Sequence, residues 1–249
     1  MRPYAVFAVA ALLCHGGSRP EVTIAAAANL GDVFQTIGAQ FEQTTGIHPV
    51  FSFGSTAQLT QQIEHSAPFD LFAAADASHV EQLEREGRLE HGSKAVYATG
   101  ILALWLPASS HMQSGRIEDL ISPDVRVIAI ARPELAPYGA ATVETLQKLG
   151  IWERVKTKIV YGDSISMAKQ YGASGNADAV FTAYSLVLKE SGRVIPIDEN
   201  LHKPISQALG IIAGSPHEPA AARFAEFLLK GKGRETLSTH GYRVAESHP

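Results

Sequence analysis

The sequence predicts an α/β protein, and two observations carry that prediction. Short apolar runs alternate along the chain with segments whose apolar residues recur every three or four positions, as buried strands alternate with amphipathic helices. The chain has 249 residues, 45% of them hydrophobic and 18% charged, which is enough for one large or two small domains. Such alternation is typical of mostly parallel sheets covered by helices.

Residues 22–41 show the repeating unit most clearly. An apolar run ends at Ala28, and a helical period of apolar residues follows Asn29. Asn29 is a good N-cap, and Asp32 resembles the acidic partner of a capping box. The first N–H groups of a helix have no internal acceptor and carry partial positive charge, so an anion could approach them across the small alanine side chains. On this stretch alone, an ordinary capped turn is the favoured interpretation.

The same pattern recurs three more times along the chain. Strand-to-helix turns are predicted at Ser55-Thr56, at Tyr138-Gly139 and at Ser164-Ile165. The remaining pattern predicts strands over 49–53, 69–72, 102–106, 125–130, 158–161, 179–182, 194–197 and 206–212, and helices after Ser55, from Asp76 or Ser78, and over 117–121, 140–149, 165–173, 220–230 and 234–239.

Two segments are candidates for crossings between lobes, residues 97–100 and 204–207. If both cross, residues 21–98 and 207–249 form the first lobe, residues 99–206 form the second, and a two-stranded hinge joins them. A ligand then binds in the cleft between the lobes.

Residues 1–20 are predicted to be an export signal. Arg2 precedes an apolar run over 5–14, which is too short to span a bilayer, and a polar exit follows with cleavage between His15 and Glu21. The only cysteine, Cys14, lies inside this segment. A lipid anchor on Cys14 is the alternative, weakened because Leu13 occupies a position that normally needs a small residue.

The sequence argues against several functional classes. The formal net charge of -4 argues against a nucleic-acid binder, and the chain has no P-loop, dinucleotide fingerprint or nucleophile elbow. The histidines are scattered without H-x-x-x-H spacing, which argues against a metal site. Asp70 and Asp76 flank a strand and could act as an acid–base pair, but helix capping and strand-end contacts are the favoured interpretation.

The four turns share a neutral chemistry, since none contains Lys or Arg. A fully deprotonated oxyanion offers only acceptors, so uncharged donors suit it and a nearby carboxylate repels it. Several helix N-termini and hydroxyl groups that converge on one point would supply those donors.

The chain resembles the periplasmic molybdate-binding proteins of ABC transporters, in the type II solute-binding superfamily. The resemblance lies in AAAANL at 25–30, FGSTAQL at 53–59, PFDLFAAAD at 68–76, the segment 119–141 and GDSISMAKQYGASGNADAVFTA at 162–183. It implies two α/β lobes around a hinged cleft, and a tetrahedral molybdate or tungstate held by neutral hydrogen bonds. It also implies a monomeric periplasmic protein that works with a membrane permease, has no cofactor and is not an enzyme.

The resemblance assigns ligand contacts position by position. Asn29 matches a contact through its side chain and backbone N–H, and Thr56 matches a contact through its hydroxyl and N–H. Tyr138 and Ile165 match contacts through backbone N–H groups. Whether Ser55 also contacts the anion stays open.

Two alanines depart from the family pattern. Ala183 falls where some members place a tyrosine hydroxyl, and Ala28 lacks a hydroxyl that some members carry. An alanine side chain cannot donate, so these contacts are absent or replaced.

Three alternatives remain beside a molybdate-binding protein. The same fold could bind sulfate or another tetrahedral oxyanion. It could be the ligand-sensing domain of a regulator, against which the export signal and the lack of a DNA-binding helical pair count. A hydrolase that uses Ser55 or Ser164 is the third.

Overall fold

The computed structural model describes residues 19–112 and 115–244. Residues 1–18 of the predicted export signal, with Cys14 among them, lie outside these ranges. No helix in the described ranges is long and apolar enough to cross a membrane.

The strands form two five-stranded sheets, in the orders β2-β1-β3-β10-β4 and β7-β6-β8-β5-β9. Their bounds are β1 Glu21–Ala27, β2 His48–Gly54, β3 Leu71–Ala73, β4 Ala95–Gly100, β5 Leu102–Leu106, β6 Ile128–Ala131, β7 Ile159–Gly162, β8 Ala179–Ala183, β9 Arg193–Pro196 and β10 Ile205–Ile211.

The sheets are mixed, so the prediction of mostly parallel sheets is wrong in that detail. Strand β1 pairs in parallel with β2 and β3, whereas β10 runs antiparallel to β3 and β4. In the second sheet β6 pairs in parallel with β7 and β8, and β5 runs antiparallel to β8 and β9. The strands at the two crossings cause this, because β5 enters the second sheet from the first lobe, β10 enters the first sheet from the second lobe, and each runs opposite to its neighbours.

Helices cover both sheets, as expected for an α/β protein. They are α1 Gly31–Thr45, α2 Thr56–Glu64, α3 Ser78–Arg85, α4 Pro137–Lys148, α5 Trp152–Val155, α6 Ile165–Ala173, α7 Tyr184–Val187, α8 Glu218–Leu229 and α9 Gly231–Thr239. Helices α1, α2, α3, α8 and α9 pack around the first sheet and α4 to α7 around the second, and these two layered units are the lobes.

The apolar face of α1 anchors the core of the first lobe. The rings of Phe34 and Phe41 both meet Phe224 of α8 edge-on, at centroid distances of 5.7 and 5.1 Å. Edge-to-face pairs of this kind are the favoured arrangement of aromatic rings. The helical period seen after Asn29 therefore corresponds to a packed face.

The chain passes between the lobes in two places. Strand β4 ends at Gly100 and β5 begins at Leu102, so the sheet changes within two residues. The return enters β10, which pairs antiparallel with β4 from Ile205 opposite Gly100. Near the chain end, Arg243 forms an additional backbone bridge to Thr99. The predicted two-stranded hinge is present in β4 and β10.

Two local predictions are wrong. Asn29 does not cap α1, because it lies within a 3₁₀ turn, Ala28–Leu30, that runs into the helix without a side-chain cap. Helix α4 starts at Pro137, so Tyr138 and Gly139 lie in its first turn and not before it. Proline suits a first helical turn because its missing N–H has no role there.

Candidate functional site

A small pocket lies between the two lobes. The first lobe contributes residues from the ends of β1, β2 and β3, and the second contributes the first turns of α4 and α6. Its lining is Ala27, Ala28, Asn29, Gly54, Ser55, Thr56, Ala75, Ala136, Pro137, Tyr138 and Ile165. All eleven lining residues are uncharged. The cavity measures about 10 Å³, roughly what one water-sized sphere fills.

The first lobe builds its side of the pocket from neighbouring parallel strands. Strands β1 and β2 run side by side with Ala27 opposite Gly54, so both strands end at the same edge. The 3₁₀ turn Ala28–Leu30 follows β1, and α2 follows β2 at Thr56. Small residues at both strand ends leave the backbone of the two turns accessible from the cleft.

The second lobe presents two further helix starts. A Cβ at Gly139 would lie 2.3 Å from the carbonyl oxygen of Ala131, so glycine lets the first turn of α4 approach the end of β6. Helix α6 begins at Ile165, where the hydroxyl of Ser164 caps it by accepting from Met167 N–H at 3.2 Å. The capping residue therefore faces its own helix, and Ile165 lines the pocket.

Hydroxyl groups and backbone N–H groups are the donors at this site. Thr56 Oγ1 accepts from Ala75 N–H at 3.2 Å, which leaves the threonine proton to donate elsewhere. The hydroxyl of Ser55 is buried and has no hydrogen-bond partner within the described chain. Thr56, Tyr138 and Ile165 occupy the first turns of their helices, where backbone N–H groups lack intrahelical acceptors. Ser55 is thus a pocket hydroxyl that the sequence left undecided.

The Asn29 side chain differs from the sequence-based expectation. Its Nδ2 donates to Gln207 Oε1 at 3.0 Å and to the Tyr242 hydroxyl at 3.1 Å, so both amide hydrogens are used inside the protein. Its Oδ1 is buried and has no partner among the described residues. Tyr242 in turn donates to the backbone oxygen of Asn29 at 2.7 Å.

A buried polar network behind the pocket was missed by the sequence analysis. Gln207 of β10 is fully buried and bonds to Tyr97, Tyr138 and Asn29. Burial raises the pKa of Tyr97 and Tyr138 well above the usual range for a phenol, and it raises the pKa of Tyr242 as well. These hydroxyls therefore stay protonated at neutral pH. No local motif in the sequence marks Gln207, since its partners lie far away along the chain.

The structure brings four of the five predicted residues to one pocket. Asn29, Thr56, Tyr138 and Ile165 line it, whereas Ala183 does not. Ala183 is the fully buried last residue of β8 and pairs with Leu102 of β5. Its place in the interior of the second sheet keeps it out of the pocket lining.

The lobes are in contact around the pocket. The N–H of Ala57 in the first lobe donates to the carbonyl oxygen of Leu135 in the second at 3.2 Å. The hydroxyl of Ser166 in the second lobe donates to the carbonyl oxygen of Ala28 in the first at 2.9 Å. The cleft is therefore closed in this structure.

The acidic pair considered for catalysis lies outside the pocket lining. Asp70 accepts from Thr23 N–H at 2.6 Å and from the Ser215 hydroxyl at 2.6 Å, which ties loops to the first sheet. Asp76 accepts from the backbone N–H and the ring of His79 at the start of α3. Both carboxylates thus make the structural contacts that the sequence favoured. Within residues 19–112 and 115–244, no cluster of three metal-ligating side chains is present.

Comparison with known proteins identifies the family. The family model described as bacterial extracellular solute-binding protein matches residues 22–243. The chain belongs to this family.

Individual relatives of this solute-binding protein are molybdate-binding proteins. It is 38% identical to the molybdate-binding protein ModA of Rhodobacter capsulatus over 226 residues, 89% of this chain and 88% of the relative. It is 38% identical to ModA of Azotobacter vinelandii over 243 residues, 94% of each chain. The structure of the Azotobacter vinelandii periplasmic molybdate-binding protein superposes with a TM-score of 0.85 at 29% identity, covering 90% of this chain and 100% of that one.

Proposed function

We propose that this solute-binding protein captures molybdate, and also tungstate, for uptake by an ABC transporter. The observation that carries the proposal is the uncharged pocket at which the first turns after β1 and β2 meet the first turns of α4 and α6. The relatives named as molybdate-binding proteins support the choice of anion.

The chemistry of the pocket supports a dianion that carries no proton. Burying such an ion is costly unless many donors meet it, and helix N-termini supply N–H groups together with favourable dipoles. The hydroxyls of Ser55 and Thr56 add donors from the same turn. Because no lining residue is a carboxylate, nothing in the lining repels the anion. We propose Asn29, Thr56, Tyr138 and Ile165 as contact residues.

The small cavity supports an inorganic ligand. At about 10 Å³ the closed cleft has room for little more than one water molecule, so the lobes must part slightly even for a tetrahedral oxyanion and much further for a sugar, an amino acid or a peptide. Opening of the lobes about the hinge of β4 and β10 would admit the ion, and closure would remove it from water.

The remaining parts of the proposal concern the whole protein. Residues 21–98 with 207–249 form one lobe and residues 99–206 the other, and residues 1–20 direct export to the periplasm. The protein acts there as a monomeric binding protein without a cofactor and not as an enzyme. Its closed form is what the membrane permease recognises, because closure is the state that the anion stabilises.

Calorimetric titration with molybdate, tungstate, sulfate and phosphate tests the proposal. We expect molybdate and tungstate to bind at least about tenfold more tightly than sulfate, a difference of about 1.4 kcal/mol. Binding of sulfate as tight as that of molybdate would show that the site serves another tetrahedral oxyanion. Absence of binding to all four anions would overturn the proposal.

A further inference from the structure

The hydrogen bonds of Asn29 and Gln207 form one buried system at the hinge. Asn29 Nδ2 donates to Gln207 Oε1 at 3.0 Å, and Gln207 Nε2 donates to the Tyr138 hydroxyl at 2.9 Å. Gln207 belongs to the returning strand β10, whereas Tyr138 belongs to the first turn of α4 in the other lobe. The side chain of Gln207 thus joins both lobes directly behind the pocket.

In this arrangement several hydrogen-bonding groups of the network lack a partner or compete for one. Asn29 Oδ1 has no partner among the described residues. The Tyr138 hydroxyl accepts from Gln207, but no described residue accepts the hydrogen of that hydroxyl. The single hydrogen of Tyr97 is within reach of two acceptors, Ala74 O and Gln207 Oε1, each at 2.9 Å. Unsatisfied groups in a buried network are costly.

Exchanging oxygen and nitrogen in both amides satisfies these groups with every heavy atom in place. The exchange gives up the donation from Asn29 to Tyr242, because the single Tyr242 hydrogen must then serve both the backbone oxygen and the side-chain oxygen of Asn29. Gln207 Nε2 then donates to Asn29 Oδ1 and to the Tyr97 hydroxyl, and Gln207 Oε1 accepts from Tyr138. Tyr97 gives its hydrogen to Ala74 O without competition. Amide oxygen and nitrogen are nearly the same size, so packing does not oppose the exchange.

The two amides must turn together. If Gln207 alone were exchanged, its N–H groups would face the N–H groups of Asn29, and if Asn29 alone were exchanged, two carbonyl oxygens would meet. In the exchanged arrangement the Asn29 nitrogen takes the place of the unpartnered Oδ1, on a residue that lines the pocket. Its hydrogens then need an acceptor, and an oxyanion consists of acceptors.

The geometry points to Gln207 as a positioning residue that turns the amide nitrogen of Asn29 toward the bound oxyanion through coupled exchange of the two amides. This inference rests on the proposed function and deepens it, since it names the side chain that determines whether Asn29 presents its nitrogen or its oxygen to the anion. Tyr138, which donates to Gln207 Oε1, and Tyr97, which accepts from Gln207 Nε2, hold Gln207 in the exchanged orientation.

Neutron diffraction from perdeuterated crystals grown with molybdate tests the inference directly, because deuterons distinguish amide nitrogen from oxygen. We expect the deuterated nitrogen of Asn29 to face the anion and that of Gln207 to lie beside Asn29 Oδ1. Anomalous scattering at the molybdenum edge locates the anion in the same crystals. Molybdenum in the pocket with Asn29 Oδ1 facing it would overturn this inference alone. Crystals without molybdenum would overturn the proposed function and this inference together.

A variant gives a second readout in solution. Gln207→Glu keeps the shape of the side chain but leaves only acceptors toward Asn29, which holds the Asn29 nitrogen at the hinge, and its buried negative charge also repels the dianion. We expect the affinity for molybdate to fall by about 100-fold or more, with a retained cooperative thermal transition. The control is Gln147→Glu, the same change at an exposed position of α4, which should leave affinity within about twofold. Equal affinities of the two variants would contradict the inference.

Discussion

The hydroxyl of Ser166, in the first turn of α6, donates across the cleft to the carbonyl oxygen of Ala28 at 2.9 Å. Ala28 lines the pocket from the first lobe, and Ile165, the residue before Ser166, lines it from the second lobe. The bond therefore closes the cleft at the rim of the proposed anion site.

Ser166→Ala should weaken closure without altering the pocket lining. A neutral hydrogen bond contributes about 0.5–1.5 kcal/mol, so we expect molybdate affinity to fall about two- to tenfold, mainly through faster dissociation. Stopped-flow measurements of association and dissociation separate the two rates. Ser174→Ala, at an exposed position after α6, serves as the control. A slower association with unchanged dissociation would show that the bond has no role in holding the cleft shut.

Asn29→Asp should reduce molybdate affinity by more than about tenfold, or about 1.4 kcal/mol. The substitution adds a negative charge at a pocket that has no cationic lining residue to neutralise it. Titration calorimetry measures the effect, with Asn176→Asp at an exposed position as the charge-matched control. Unchanged affinity would remove Asn29 from the site.

Ser55→Ala should lower the affinity for molybdate without lowering the stability of the protein. The hydroxyl is buried without a partner among the described residues, so its removal should leave the free energy of unfolding unchanged or slightly higher. If the hydroxyl donates to the anion, affinity should fall about tenfold or more, as for hydrogen bonds to charged groups. Urea unfolding and calorimetry of this variant and of the exposed control Ser238→Ala measure both effects. A destabilised variant with full affinity would show that Ser55 is structural.

Gly100→Ala should damage the hinge. A Cβ at this position would lie 2.1 Å from the Tyr138 hydroxyl and 2.5 Å from Gln207 Nε2. Overpacking of this kind costs about 1–3 kcal/mol, which urea unfolding would detect. Gly31→Ala is the control, since a Cβ there meets no atom within 4 Å and the residue begins a helix. Equal stability of the two variants would mean that the hinge tolerates rearrangement.

The Asp76–His79 pair predicts a pH-dependent contribution to stability. The hydrogen bond to Asp76 raises the pKa of His79 above its ordinary value of 6.5. Burial alone would raise the pKa of Asp76, but its hydrogen bonds to His79 outweigh this and lower it below 3.8. The contribution of His79 to the free energy of unfolding is complete below pH 6.5 and is lost as pH rises through the raised pKa of His79. The contribution of Asp76 is lost as pH falls through the lowered pKa of Asp76.

His79→Gln should therefore be most destabilising at about pH 5 and least so at about pH 9. Urea unfolding across this range measures the difference from the wild type. His91→Gln, the same change at an exposed position, serves as the control. A destabilisation by His79→Gln that is constant with pH would show that the ion pair is not its cause.

Local sequence patterns predicted the elements well where neighbouring residues alone decide them. Strand β5 and helix α6 lie where the apolar run over 102–106 and the turn at Ser164-Ile165 predicted them. The direction of β10 could not be predicted in this way, because it depends on how the chain returns from the second lobe. Asn29 fails as a cap for a related reason, since its side chain bonds to Gln207 and Tyr242, 178 and 213 positions away.

The residues of the candidate site could likewise be predicted only in part. Asn29, Thr56, Tyr138 and Ile165 were predicted because each lies at a predicted strand-to-helix turn and matches a contact position of the family that the chain resembles. Tyr97, Gln207 and Tyr242 lie within strands or near the chain end, where nothing in the flanking sequence distinguishes them from core residues. Only tertiary structure brings these polar groups together.

The position of β10 between β3 and β4 has a consequence for the order in which the protein folds. Until residues 205–211 are available, the edges of β3 and β4 that will meet them have no partner strand. Tyr242, which holds Asn29, emerges later still. A chain that emerges from its N-terminal end can therefore fold the second sheet early, but it can assemble the anion pocket only after Tyr242 has emerged.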